Sequence, residues 1–550
     1  MLRCVMVLLA VAACGTHPTK LGAAPSWRGR TDPGSPPRPT AEAVVFAPSS
    51  PGAAMYNRAL ERAASSPLGD AVVRAVADAA KAQGVPPPFA DARLFRACEE
   101  LAQVVPEQGV VTYRVVEFAL QRNGLIEPSP HLLVVWGDLD NPQLIVDQLS
   151  PGLAEMFERG APARVGIGAA VRSPDGAGAV VFALQASAVT TNPIPRSLPE
   201  DGAFRLEGSV RRPFRDPEVL ITGADGHTAR LPLVSGTKPS SFRAELSCAG
   251  RAGRQQVEIN ASDATGSTVL ANFPIWCGEA PPTTILVEDA GADPAPANAQ
   301  EAEQRLLALA NAARRAAGLP ELQWSEPVAE VARRYSEEMR RTQVVAHLSP
   351  TTGSAADRLR AAKIKSSLVL ENVARAYGVA ETHAGLMDSP GHRQNLMSPL
   401  ATHVGIGVVL GDQVSGRPAM FVTEVFTRVT PRIDERDVAA ALHTRLANGR
   451  LPRAAALENL AQRVAESLAR GQPRERAWDP VSADLKALSK TYRKVASVVT
   501  AVSDLSSIDT STVLTGVVDE LGIGVAQGPH PEIGDGAIWI VLLLGERPRS

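Results

Sequence analysis

No stretch of this chain is long and apolar enough to cross a bilayer as a mature helix, and neither sign of charge dominates: 56 basic residues face 58 acidic ones, for a formal charge of −2. The first absence leaves a body with no expected transmembrane helix. The second removes the field that steers proteins to nucleic acid or to anionic surfaces, so no nucleic-acid partner is expected. Aromatic residues are scarce at 4%, and 550 residues contain only five cysteines. A chain of this length cannot share one core, and 44 Pro and 44 Gly point to about three to five domains joined by irregular segments.

What is present begins at Met1, where MLRCVMVLLAVAAC sets a single Arg3 before a short apolar run and small residues before Cys14. The segment resembles a bacterial lipoprotein signal, cut after residues 1–13 and lipidated on Cys14; a non-lipidated secretory signal is the alternative, and both export the protein. Membrane partnership is therefore expected through the lipid anchor. Gly15 after Cys14 lacks the aspartate-type signal for inner-membrane retention, which favours an outer membrane or cell surface. Cys4 leaves with the leader. Cys248 and Cys277 flank a strand-rich segment in an oxidising compartment and are expected to form a disulfide, with two buried thiols as the alternative. Leu94, Cys98 and Leu101 fall on one helical stripe, which gives Cys98 a packing role.

Residues 14–50 are rich in Pro, Gly, Ser and Thr and read as a flexible stalk, and 282–298 read as a second linker. Between 195 and 281, short runs such as FRLEGSV, EVLITGA and QQVEINA alternate with period two, the pattern of an immunoglobulin-like β-sandwich. An internal repeat organises the rest. Val165-Gly166-Ile167-Gly168, Val404-Gly405-Ile406-Gly407 and Leu521-Gly522-Ile523-Gly524 each open a predicted hairpin, and each follows a turn and an amphipathic helix. Three α/β units are expected, at 51–190, 299–428 and 432–548.

The middle unit holds the residues suited to chemistry: His347-Leu348-Ser349-Pro350, Glu371-Asn372, and Ser389-Pro390-Gly391-His392. Two imidazoles and a carboxylate brought together can hold zinc or move protons. They can equally satisfy one another as a structural cluster. Ser349 reads as a helix N-cap with Pro350 at the first helical position, not as a nucleophile. The isolated histidines 131, 227, 383, 403, 443 and 530 have no partner at ligand spacing.

The array LLALANAARRAAGLPELQWSEPVAEVARRYSEEM, AHLSP, ENVA, LMDSPGHRQNLMSP, HVGIGVV and FVTEVF resembles the bacterial branch of the CAP (SCP/PR-1) superfamily over residues 299–428. The resemblance implies an α-β-α sandwich with a groove of two histidines and two acids, binding a divalent metal such as zinc in some members. His347, Glu371 and His392 match three of these. Leu370 stands where Gly is usual and Leu386 where Trp is common, and the fourth residue is open: Asp388 ranks first, with Glu424 on the last strand as the alternative acid. In the flanking units Leu153 and Asp509 stand at the place of His392, so both read as degenerate CAP-like copies. The expected whole is an α+β multidomain protein, a central CAP sandwich between two degenerate α/β units plus the all-β sandwich. Its leading function is non-catalytic binding of an envelope lipid, glycan, peptide or metal. The alternatives are a metal-dependent hydrolase of envelope protein or peptidoglycan with Glu371 as base, and a scaffold or adaptor.

Overall fold

The computed structural model describes residues 4–8, 44–58, 60–106, 111–158, 162–173, 176–234, 240–287, 293–414, 417–429, 432–446, 450–503, 505, 508, 517–531 and 533–548. Cys14 lies outside these, as does Asp509. The chain divides into two compact units, one of Met1–Ala355, Leu370–Pro399 and Val404–Val425, the other of Ala356–Val369, Leu400–His403 and Phe426–Ser550.

In the first unit, helices Pro67–Ala82, Ala92–Val104, Tyr113–Arg122 and Pro142–Glu158 accompany a sheet with strand order His131–Asp138, Ala177–Gln185, Arg164–Val171, Phe89–Ala90. Cys4–Leu8, inside the expected leader, is the edge strand antiparallel to His131–Asp138. The middle region has the same order: Val369–Ala376, Arg417–Thr427, His403–Val414, Gln323–Trp324. In the second unit, Lys494–Val502, Gly534–Glu546 and Glu520–His530 again follow that order, and Arg453 bridges in parallel to Leu521 where the short strand stands in the others.

The helices form where the apolar period predicts them. Glu326–Thr342 starts after Ser325 with Pro327 in its first turn and buries Val328, Ala329, Val331, Ala332, Tyr335 and Met339 on one face. Ala299–Ala316 is capped by Asn298, whose Oδ1 accepts from Glu301 N at 2.9 Å. Cys98 is buried in the core as a free thiol.

Two further sheets face each other over a core of Leu206, Val219, Phe242, Val257, Ile259 and Phe273. One runs Ser197–Leu198, Gly266–Cys277, Gly253–Asp263, Arg215–Thr222, Thr228–Arg230; the other Ser241–Ser247, Ala203–Val210, Val189–Thr191. Cys248 and Cys277 are disulfide-bonded, with Cα atoms 5.7 Å apart. This two-sheet module reaches beyond 195–281. Val189–Thr191 pairs with Gly208–Val210, and Met55–Tyr56 pairs with Ile194–Pro195, so that fully buried Tyr56 enters its core. The segments read as stalk and linker also carry structure: Val44–Phe46 pairs antiparallel with Ile285–Val287. Proline and glycine content marks breaks in helices but does not register a distant strand partner, and backbone groups of any composition pair where one is offered.

One apolar cluster joins Leu94, Leu101, Tyr113 and Val116 to Tyr335, Met339, Val373 and Phe421. Residues 299–428 cut out alone would expose that surface to water, so experiments on this region call for the whole chain.

Candidate functional site

His347 lies in the loop after Glu326–Thr342. Tyr335 fixes that loop by donating its hydroxyl to the Ala346 carbonyl. The His347 ring turns inward, and its Nδ1 is 2.6 Å from Glu371 Oε2. Glu371 sits on strand Val369–Ala376 and is 4% exposed. With the carboxylate accepting from Nδ1–H, the far ring nitrogen Nε2 points away from Glu371 and is buried without a hydrogen-bond partner among the described residues.

His392 occupies the first turn of Pro390–Leu396 and is fully buried. Neither of its ring nitrogens has a partner among the described residues. Burial, then the charge of His347, pushes its pKa down to about 3, so the ring is neutral. Between the imidazole segments stands fully buried Asn372. Its Nδ2 donates to Glu424 Oε2 at 3.0 Å and to the His392 carbonyl at 3.3 Å, and its Oδ1 accepts from Asn395 at 3.0 Å. Asn395 also donates to the Glu371 carbonyl at 3.0 Å. The two asparagines thus tie the Glu371 strand, the His392 helix and the Glu424 strand together. Asn395 falls three residues after His392 on one helix face, a spacing that could have singled it out in the sequence.

Glu424, on strand Arg417–Thr427, is 1% exposed, with Oε1 unpartnered. Burial raises its pKa to about 7, against the lowering effect of the Asn372 hydrogen bond. Asp388, ranked first for the fourth position, is instead at the C-cap of Val379–Met387 and pairs with Arg254 at 3.1 Å. Glu424, the alternative acid, is tied to the His392 segment through Asn372. A strand places alternate side chains on one face regardless of sequence distance, whereas the Asp388 carboxylate is taken up by Arg254.

Ser349 is a second correction. No helix starts there; its Oγ accepts from the backbone N–H groups of Thr351 and Thr352, each at 2.9 Å, and donates to Glu338. Ser389 likewise donates its hydroxyl to a carboxylate, that of Glu258. Among the described residues neither serine is held by an imidazole, as an activated nucleophile would be.

The donor types suit zinc, but their placement does not. Among the described residues, no group of three or more His, Cys, Asp or Glu side chains is arranged to hold a metal ion. Glu371 holds His347 Nδ1, which leaves only Nε2 of that ring to donate to a metal, and Asp388 is elsewhere. Fewer than three of these described side chains converge as metal donors in this conformation.

The buried acid and imidazole titrate in opposite senses. Glu424 holds its proton to about 7 in the folded chain against an ordinary 4.5, so its contribution to stability is full below about 4.5 and is lost as pH rises through 7. His392, lowered to about 3 from 6.5, contributes fully above 6.5 and loses that contribution as pH falls toward 3. Glu424→Gln keeps an acceptor for Asn372 and removes the first dependence. The gap from 4.5 to about 7 corresponds to on the order of 3 kcal/mol. Thermal midpoints of variant and wild type should therefore nearly coincide at about pH 5 and separate by several degrees at about pH 8, with the variant higher. Parallel curves across that range would show that Glu424 is ionised in the fold.

Residues 307–426 match the family described as "Cysteine-rich secretory protein family", CAP. The chain is 34% identical over 116 residues to uncharacterized protein YkwD of Bacillus subtilis (strain 168), covering 21% of this chain and 45% of that one. It is 38% identical over 108 residues to uncharacterized membrane protein YlbC of the same strain, covering 19% and 31%. The chain thus spans less than half the length of these relatives. Among solved structures, an extracellular protein containing an SCP domain from Bacillus anthracis str. Ames aligns at 20% identity over 42% of this chain and 82% of that one, with a TM-score of 0.22.

Proposed function

Because residues 307–426 are a domain of the cysteine-rich secretory protein (CAP) family, we propose that this chain is an exported envelope protein that binds a polar ligand, without turnover, at His347, His392 and Glu424. One observation carries the reading. Four buried polar atoms, His347 Nε2, both ring nitrogens of His392 and Glu424 Oε1, have no hydrogen-bond partner among the described residues. Each such atom costs about 1 to 3 kcal/mol, which a purely structural cluster would avoid by pairing them. A ligand that supplies donors and acceptors recovers that cost. This favours a glycan or peptide group over a lipid tail. Export is supported by the apolar leader, and a lipid anchor at Cys14 by the small residues before it. Among the described residues, no helix is long and apolar enough to cross a membrane.

The test is calorimetric titration of the full chain with soluble peptidoglycan fragments and with short peptides, wild type against the His347→Ala, His392→Ala double variant. The expected result is binding by the wild type that falls at least roughly ten-fold in the variant, about 1.4 kcal/mol or more. Equal affinities would place binding elsewhere. A scaffold role is the second reading, favoured by the recurrence of one strand order three times with the two-histidine cluster in the middle copy. We read the flanking copies as degenerate CAP-like units and the two-sheet module as immunoglobulin-like.

A further inference from the structure

The histidine cluster has a neighbour from outside its own domain. The turn joining Gly253–Asp263 to Gly266–Cys277 sits on the His347 loop: Leu348 N donates to the Thr265 carbonyl at 3.0 Å, and a Cβ built on Gly266 would lie 3.5 Å from that of His347. The same sheet also touches the segment that carries His392. Glu258 is fully buried and accepts from the Ser389 hydroxyl and, at 3.1 Å, from Gly391 N. Asn272 donates to the Asp388 carbonyl at 3.1 Å, Arg254 pairs with Asp388 at 3.1 Å, and Arg393 donates to the Gly226 carbonyl at 3.2 Å.

These contacts have the character of a built closure. A carboxylate is rarely buried without cause, and among the described residues Glu258 faces only uncharged donors, Ser389, Gly391 N and Asn260. Two of the three come from the two residues flanking Pro390. Position 391 is glycine where any Cβ would fall 2.8 Å from Glu258 Oε1. The contacts reach both histidine-bearing segments at once, and His347 Nε2 and both ring nitrogens of His392 on those segments are buried without a partner among the described residues.

We propose that the two-sheet module is a gate on the His347 and His392 cluster, acting within the chain, with Glu258 as its latch. Seated, it seals the ring nitrogens, and a ligand reaches them only when the module lifts from residues 347–348 and 388–393. Its purpose rests on the ligand-binding reading above, but the closure itself needs no ligand to be measured. An alternative design, a module that only spaces the CAP domain from a membrane, would not require a buried carboxylate directed at the His392 helix.

The experiment is carbethoxylation of histidines in the full chain with diethyl pyrocarbonate, read site by site by mass spectrometry, with exposed His227 as internal reference. In the wild type His392 should react at least roughly ten-fold more slowly than His227, and in Glu258→Ala its rate should rise by about that factor. Should Glu258→Ala unfold the two-sheet module, as judged by hydrogen exchange along its strands, the Ser389→Ala, Arg254→Ala double variant takes its place. That variant leaves the module's core untouched and removes one partner of each of two contacts. Wild-type His392 reacting as fast as His227 overturns the gate. So does continued protection of His392 when exchange shows the 263–266 turn released from 347–348. Failure of ligand binding with protection behaving as expected would overturn the binding reading alone.

Discussion

Gly407→Ala is expected to cost more than about 4 kcal/mol and to leave little soluble protein, the range in which a single substitution signals a specific clash. A Cβ at this position would lie 2.1 Å from Arg333 N and 2.3 Å from the carbonyl carbon of Ala332. Both are backbone atoms of Glu326–Thr342, which therefore rests directly on the strand. Ordinary overpacking of a core costs about 1 to 3 kcal/mol because side chains can rotate away. A helix backbone cannot do so without withdrawing Val328, Ala332 and Tyr335 from the core. Gly168→Ala and Gly524→Ala meet the same obstacle, 2.0 Å from Glu99 N and 2.2 Å from the carbonyl carbon of Ala461. Gly84→Ala meets nothing within 4 Å, and its φ of +68° sets the penalty for a left-handed alanine, about 1 to 2 kcal/mol. Thermal unfolding of the four variants checks this. A Gly407→Ala midpoint close to that of Gly84→Ala would mean that the helix does not lie on the strand as described.

Arg314→Met should lower the thermal midpoint by roughly 10 °C, from a loss of about 3 to 5 kcal/mol. The guanidinium is fully buried and donates to the carbonyls of Pro320 at 2.8 Å, Leu396 at 2.8 Å and Ser398 at 2.9 Å. Methionine fills much of the volume but leaves these carbonyls without their donor, each at about 1 to 3 kcal/mol. Burial lowers the arginine pKa from its ordinary value, yet the charge sits where the Pro390–Leu396 helix ends and its carbonyls point. Faster hydrogen exchange in residues 392–398 should accompany the lower midpoint, because the substitution unpins the helix that carries His392. A midpoint within 2 °C of wild type, a fifth of the roughly 10 °C expected, would indicate that water replaces the guanidinium at no cost.

Much of this architecture is legible in the amino-acid sequence. Period-3.6 burial in 326–342, paired strands after each Gly-Ile-Gly, and the two cysteines flanking a strand region are local signals, decided within about ten residues by side-chain direction and backbone preference. His347, Glu371 and His392 are recognisable from motifs, and the 2.6 Å contact of His347 with Glu371 follows once the loop is held against the strand. Asp388 stands nearer to His392 in sequence than Glu424 does, and nearness along a helix end says nothing of direction.

What the amino-acid sequence determined by itself was therefore the main helices, the strand pairs after each Gly-Ile-Gly and the disulfide pair, each encoded in a short window. Tertiary structure alone decided the rest. Glu424 joins Asn372 across 52 residues because two strands share a sheet, and Glu258 reaches Ser389 across 131 because two domains pack. The glycines of the repeat acquire their reason only when a helix backbone is laid on them. Contacts of that kind depend on which surfaces meet, and composition and periodicity specify surfaces without specifying their partners.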